Sequence, residues 1–398
     1  TDWKTAHITP LHKSGSRAFA TNYRPVSLTS ICCKVMEKVV KKELMIYLET
    51  RNLLSTAQYG FRRGRSCVTN LLYTMQSWTK ALDAKDTVHV AYIDFQKAFD
   101  SVPHQRLLHK LRMFGIGGKL LTWIKNFLVS RSRVVCVGGS RSKHTVIKSG
   151  VPQGSVLGPI LFLLFINGCV QELDCDFAMF ADDIIIWKVI HSAADADNFQ
   201  ENLCRLDEWS RKWLLSFNSN KCTLLRLGNR NQVTDMRPYY LNGLPLREAH
   251  TQKDLGVWMK DNLKPSTQCS KAAKSANSIL YAIKRAFKVF DEDCFSKVFG
   301  TFVRPHLEYA IQAWRPWTQQ DYNMLERVQR RATKLVRGQA ELPYEIRLNN
   351  LKLYPLSYRQ LRGDLIQTFR IVRGMDCALL CDDFFQLATT KNLRGHPF

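Results

Sequence analysis

With 398 residues the chain exceeds one ordinary hydrophobic core, so two or three subdomains are expected. Its 45% apolar content excludes general disorder, and its longest apolar run, Pro159 to Ile166, is too short to span a bilayer. A formal net charge of +24 calls for a polyanionic partner, and the surplus is no mere tail: residues 261–398 hold 22 Lys and Arg against 13 Asp and Glu, leaving the larger share to residues 1–260.

Residues 1–87 read as basic loops with helices. The clearest helix is Ile31–Thr50, where Ile31, Val35, Val39, Leu44 and Leu48 supply an apolar face. In VHVAYIDFQKAFD, Val88, Val90 and Tyr92 alternate with His89, Ala91 and Ile93, a period-two strand that delivers Asp94 at its end. Helices are expected near His104–Met113 and Lys119–Ser130, parted by Gly115-Ile116-Gly117-Gly118. Val134–Val137 and Thr145–Ile147 flank a Gly-Gly turn and read as a hairpin.

From Gly150 to Gly168, GVPQGSVLGPILFLLFING sets a Gly- and Pro-punctuated loop before an apolar segment. Gly150, Gly154 and Gly158 allow backbone to approach a ligand, and Gln153 offers both a donor and an acceptor. In AMFADDIIIW, Phe177–Phe180 and Ile184–Trp187 read as the arms of a hairpin with Asp182 and Asp183 at its tip. An Asp-Asp turn by itself is most often a solvated loop. The succession of acidic strand, Gln-Gly loop with helix and acidic hairpin changes that weighting. If a neighbouring strand adds Asp94, three carboxylates repel one another unless divalent cations neutralise them. Two Mg²⁺ ions so held are the usual device for in-line nucleotidyl transfer.

Helix dominates after about Ser270. Within Met324–Arg337 the cations Arg327, Arg330, Arg331, Lys334 and Arg337 recur at three- and four-residue steps. Met324, Leu325, Val328, Ala332, Leu335 and Val336 supply the other surface. The basic side either tracks nucleic-acid phosphates or is an ordinary solvated face. Trp314 and Trp317 read as core residues ahead of base-stacking ones. The twelve cysteines lack partners at zinc-ligand spacing, so reduced thiols in an intracellular protein are expected.

Taken together, these segments resemble the reverse transcriptase of non-LTR (LINE-type) retrotransposons, above all its jockey-like and chicken-repeat-like group. TDWKTAHITPLHK and NYRPVSLTSICCKVMEKVV are similar to its opening segment, and AQYGFRRGRSCVTNLL to its fingers motif. YIDFQKAFDSVPH, GVPQGSVLGPILFLLFING, FADD, SFNSNKC and KDLGVWM follow in the family's order. VRPHLEYAIQAW and LERVQRRATKLV are similar to its thumb segments. The resemblance implies an α+β right-hand polymerase. Residues 1–87 would be fingers; 88–260 palm with an antiparallel sheet and a fingers-type insertion at about 103–150; 261–398 a helical thumb and C-terminal region.

The same resemblance assigns roles. Asp94 and Asp182 would be the principal ligands of two Mg²⁺ ions, or of Mn²⁺ in their place, with Asp183 and the main-chain carbonyl of Phe95 completing the set. Lys221 would assist the departing pyrophosphate. Arg24 would grip the triphosphate, with Lys13 as an assistant or simply a solvated loop lysine. Phe99 would lie under the sugar and exclude a 2′-hydroxyl, unless it is a core aromatic. Asp100 behind it keeps a ribonucleotide polymerase in view. Gln153 and Gly154 would touch the nascent pair. Arg62, Arg63 and Arg65 would hold template phosphates, Leu255 and Gly256 the primer, and Arg327, Arg330, Arg331 and Lys334 the duplex.

The implied function is RNA-directed DNA synthesis on an RNA template and DNA primer from dNTPs, in the nucleus. An endonuclease domain is expected elsewhere in a larger element protein. A catalytically silent RNA-binding relic is the alternative.

Overall fold

Seven consecutive buried residues make up strand β3 (Thr87–Ile93), so the alternation read from its sequence lies between two covered faces. On one of them the buried His89 Nδ1 sits 2.8 Å from the Tyr239 hydroxyl. A strand sealed on both sides needs packed layers above and below, and that requirement organises the first half of the molecule.

The computed structural model describes residues 2–386 except 14, 229–235, 288–289 and 377. Two compact units emerge. The first comprises residues 1–62, 89–224 and 234–248; the second comprises 63–88, 225–233 and 249–398.

In the first unit, β1 (Thr5–His12) and β2 (Tyr23–Leu28) pair antiparallel, with Pro10 opposite Pro25. β1 also pairs in parallel with β4 (Arg131–Val137), from Thr5 opposite Ser132 to Ile8 opposite Val135. Two facing prolines and a partner more than a hundred residues away explain why this region reads as loops in sequence. The expected hairpin is also shifted. β5 (Ser140–Arg141) folds back on the end of β4 across Gly138-Gly139, whereas β6 (Thr145–Ile147) pairs with Arg131–Arg133, earlier than Val134–Val137.

Helix α1 (Ile31–Thr50) has the expected bounds but only the C-terminal part of the expected face. Ile31, Val35 and Val39 are exposed; Cys33, Glu37, Leu44 and Leu48 are buried. Beyond α2 (Cys67–Asp83, in the second unit) come α3 (Ala98–Ser101), α4 (His104–Met113) and α5 (Gly118–Leu128). α6 (Gly158–Ile166), with Pro near its start and apolar side chains all round, is buried from Ile160 to Ile166 and forms the centre of the core.

β7 (Asp176–Phe180) and β8 (Asp183–Ile190) form the expected antiparallel hairpin, with Phe180 opposite Asp183. α7 (Ala193–Trp213) opens with the Asp195 carboxylate accepting from the Ser192 N–H at 2.9 Å. It buries Ala196, Phe199, Leu203 and Leu206 at helical spacing. β9 (Thr223–Leu227) follows, then a small hairpin of β10 (Tyr240–Leu241) and β11 (Leu244–Pro245), and β12 (Arg247–Glu248). The central sheet has the order β12-β9-β3-β8-β7, which makes the Asp94 strand and the acidic hairpin immediate neighbours.

The second unit contains one end each of β3 and β9 and the hairpin of β13 (Thr251–Asp254) and β14 (Val257–Lys260), and its remaining elements are mainly helices. α8 (Ser266–Ala286) presents Cys269, Ala272, Ala273 and Ala276 inward; side chains this small let another helix approach closely. α9 (Glu292–Val298), α10 (Arg304–Glu308), α11 (Gln319–Thr333), α12 (Tyr344–Asn350), α13 (Leu356–Val372) and α14 (Cys381–Phe384) complete it, with α11 packed on α8. Trp314 is core, 3% exposed, but Trp317 is exposed, against expectation. No helix among the described residues is long and apolar enough to cross a membrane. The described cysteines are free thiols; Cys377 lies outside the described residues.

Candidate active site

Asp94 follows β3 directly and is clasped by the loop that carries Lys221. Its carbonyl accepts from Asn218 N–H at 2.7 Å, and Gln96 N–H donates to Ser216 at 2.9 Å. Between these bonds the Phe95 and Phe217 rings pack at a tilt of 32° with centroids 4.8 Å apart. The Asp94 Oδ2 is buried with no hydrogen-bond partner and faces Lys221 Nζ at 3.4 Å.

Across the sheet, Asp182 and Asp183 feel this carboxylate. Burial raises the Asp182 carboxyl, Asp94 raises it further, and Arg24 and Lys13 oppose the shift. Asp183 is exposed at the hairpin tip, yet the protein crowded around it partly desolvates its carboxyl. Burial, then Asp182, then Asp94 push it from the ordinary 3.8 to about 6, against Lys221 and Arg24. Lys13, the weaker of the two expected cations, thus stands in the field of the acids. The backbone bond from Lys13 to Asn22 (2.8 Å) closes the β1–β2 turn behind it.

The Gln-Gly loop is tied down on three sides. Gly150 N–H donates to Val102 (2.8 Å) and Val151 N–H to Phe99 (2.7 Å); the Ser149 hydroxyl donates to Asp100 (3.0 Å). On the β2 side, Ser27 N–H donates to the Gln153 carbonyl at 2.7 Å. Gly154 has φ +104°, and a Cβ there would lie 2.6 Å from the Ser27 carbonyl oxygen, so both conformation and space demand glycine. Burial raises the Asp100 carboxyl, while Arg133 and a hydrogen bond from the Gln153 side chain oppose the rise. Phe99 is half-buried and stacks on Phe162 at 4.4 Å, so core packing supports the face that Phe99 leaves open.

The third tie was not foreseen. Glu37, fully buried in α1, accepts from Val156 N–H (2.7 Å) and Leu157 N–H (2.8 Å) just ahead of α6. Its other oxygen accepts from Cys33 Sγ at 3.3 Å, and the buried Arg131 guanidinium lies within electrostatic reach of both. The signal was an acid spaced four residues from Cys33 on a stripe running to Leu44 and Leu48. The more hydrophobic stripe of Ile31, Val35 and Val39 concealed it.

Arg62 requires correction. Its guanidinium grips Glu49 at 2.9 and 2.6 Å and the Ser55 carbonyl at 2.6 Å, with the side chain 9% exposed. A cation so engaged is a structural tie within the first unit, not a free hand for template phosphate. Arg63 and Arg65 belong to the second unit, in the turn ahead of α2. Leu255 (φ +42°) and Gly256 (φ +92°) form the β13–β14 turn, where the Tyr309 hydroxyl donates to the Leu255 carbonyl at 2.8 Å. Arg327, Arg330 and Arg331 on α11, and Lys334 just past its end, are all exposed, opposite buried Leu325, Val328 and Ala332. The helix starts earlier than the basic run and ends before Arg337. Arg330 lies over the Tyr344 ring at 4.4 Å, and Arg331 donates to Asn277 at 3.0 Å.

A family model described as "Reverse transcriptase (RNA-dependent DNA polymerase)" matches residues 11–259. The chain belongs to this family. Among its relatives, the probable RNA-directed DNA polymerase from transposon BS of Drosophila melanogaster is 28% identical over 87% of this chain and 39% of its own length. The RNA-directed DNA polymerase from mobile element jockey of the same fly is 27% identical over 84% of this chain and 38% of its length. The chain therefore spans well under half of these relatives. An apo telomerase from Candida Tropicalis superposes with a TM-score of 0.49 at 10% identity, covering 84% of this chain and 58% of that one.

For a reverse transcriptase the donor set is apt: carboxylate oxygens suited to hard divalent cations, one of them buried and unsatisfied. Among the described residues no three His, Cys, Asp or Glu side chains stand at metal-ligating spacing.

Proposed function

We propose that this chain extends a DNA 3′ end on an RNA template, as the RNA-directed DNA polymerase portion of a non-LTR retrotransposon protein. The observation that carries this reading is the group of Asp94, Asp182 and Asp183 set among Arg24, Lys13 and Lys221. Acids alone suit cations and cations alone suit phosphates; a nucleotide with its metal ions is complementary to both. Asp94 and Asp182, with Asp183 and the carbonyl of Phe95, would hold two Mg²⁺ or Mn²⁺ ions, which when bound activate the primer 3′-hydroxyl and neutralise the triphosphate.

The remaining residues act in their own right. The Arg24 guanidinium grips phosphate oxygens as a fork, and Lys13 adds a point charge. Lys221, freed from Asp94 by competing charge, stabilises pyrophosphate as it leaves. Phe99, braced by Phe162, bars the space that a 2′-hydroxyl needs. Gln153 and Gly154 line the nascent pair. Leu255 and Gly256 meet the primer, while Arg63, Arg65 and the exposed cations of α11 neutralise template and duplex phosphates.

On this reading residues 1–87 are fingers, 88–260 palm and 261–398 thumb of a right-hand polymerase. RNA template, DNA primer and dNTPs are its partners, and the nucleus its site of action.

A primed RNA template with Mg²⁺ and either dNTPs or rNTPs tests the reading by primer extension on a gel. Extension is expected with dNTPs and not with rNTPs, and Asp182→Asn should lower it at least about a thousandfold. Lack of extension by the unaltered chain, or equal activity of the variant, would overturn it.

A further inference from the structure

The turn that carries the acidic pair contains an unusual residue. Ala181, just before Asp182, has φ +56°, a left-handed conformation that a Cβ disfavours. Glycine would adopt it freely; alanine must be held there. The holder comes from the segment Ala57–Gly60, which runs alongside the sheet edge at β7 and bridges in parallel to Met179. Met179 N–H donates to Ala57 (2.9 Å) and Tyr59 N–H to Met179 (2.8 Å).

Between these bonds the Gln58 side chain turns inward, 2% exposed. Its Oε1 accepts from Ala181 N–H at 2.9 Å and from Gly60 N–H at 2.7 Å, and its Nε2 faces the Ala181 carbonyl at 3.4 Å. Two converging N–H donors fix which end of the amide is oxygen. A Cβ on Gly60 would lie 2.5 Å from Ala181 N, so residue 60 must be glycine for the clamp to close.

We propose that Gln58 is a positioning residue for the acidic hairpin: its one amide engages both poles of residue 181 and selects the left-handed turn that directs Asp182 and Asp183 toward Asp94. The proposal rests on the polymerase reading above, and it gives a task to the AQYG segment that precedes Arg62, Arg63 and Arg65. Gln58 touches neither substrate nor metal ligand side chains in these contacts; it acts through the backbone of Ala181.

The test compares wild type, Gln58→Ala, Gln58→Glu and the double variant Gln58→Ala/Ala181→Gly. In primer extension, Gln58→Ala should lower kcat about 30-fold with the dNTP KM within about threefold, because misdirected acids cost the chemical step more than nucleotide capture. The double variant should recover about fivefold or more of that loss, since glycine reaches positive φ unaided. Gln58→Glu keeps the acceptor and loses the donor, so it should fall between wild type and Gln58→Ala.

Amide hydrogen exchange supplies a readout independent of activity. Ala181 and Gly60 should be protected in wild type and exchange at least about tenfold faster in Gln58→Ala, which removes their shared acceptor, with β8 unchanged. The idea is overturned if glycine at 181 rescues nothing, if KM changes and kcat does not, or if the two amides exchange freely in wild type. A wild type that fails to extend primers would sink the polymerase reading, while exchange at the two amides would still decide the clamp.

Discussion

Replacing Glu37 with glutamine should damage the proposed nucleotide site, although Glu37 lies outside it. Both Val156 and Leu157 donate to a single carboxylate oxygen, and the buried Arg131 faces that charge. Hydrogen bonds to a charged group contribute about 1.5–3 kcal/mol each, against about 0.5–1.5 for neutral ones. Glutamine keeps one acceptor oxygen but leaves Arg131 without its counter-charge, so the net loss is about 2 kcal/mol. For a domain of 150–250 residues that corresponds to a fall in Tm of about 4–8 °C. Because the two amides hold the end of the loop bearing Gln153 and Gly154, the dNTP KM should rise as well. Adding Arg131→Met should restore part of the stability, since removing both buried charges costs less than orphaning one. Thermal unfolding followed by circular dichroism, with steady-state primer extension alongside, measures both effects. A variant that melts within 1 °C of wild type and keeps its KM would refute the assignment of Glu37 as the loop's anchor.

Asp183 makes a prediction about pH. Its folded pKa of about 6 lies above the ordinary 3.8, so the fold binds its proton more tightly than the unfolded chain does. Stability from this group is therefore complete below about pH 4 and declines as pH rises to about 6. In metal-free buffer Asp183→Asn should melt higher than wild type at pH 7, by about 1 kcal/mol after solvent screening, and the gain should vanish near pH 3.5. Replacing Phe99 with valine should raise rNTP incorporation relative to dNTP about tenfold or more in single-turnover assays; an unchanged ratio would leave Phe99 as core packing only. Alanine at both Arg327 and Lys334 should reduce the salt slope of duplex binding by about 2 while leaving Tm unaltered. Arg62→Ala should do the reverse, lowering Tm with the salt slope intact, because its charge is already held by Glu49.

Much of the site was legible from local pattern. The β3 strand, the acidic hairpin and the loop before α6 are all short segments whose spacing and glycines declare themselves. Even there the reading stopped at the side chains. Of the apolar face expected on α1, Leu44 and Leu48 are buried but Ile31, Val35 and Val39 are not, and the helix buries Glu37 instead, whose worth depends on amides more than a hundred residues away. Arg62 was misjudged for a related reason: a cation in a Gly-rich turn looks free until its acid, thirteen residues upstream on α1, is found beside it.

What the chain determined by itself, then, was the kind of chemistry available: three carboxylates, a glycine-bearing loop, cations suited to phosphate, and the order in which they occur. Such features are local, and periodicity and turn chemistry reveal them. Tertiary structure alone decided how those groups are aimed. β1 and β2 exist as a sheet because β4 lies beside them; Ala181 adopts its left-handed turn where Gln58 bonds both of its backbone poles; the Gln-Gly loop ends where Glu37 accepts two amides. These are pairings of groups far apart in sequence, and only a folded backbone brings a donor to its acceptor.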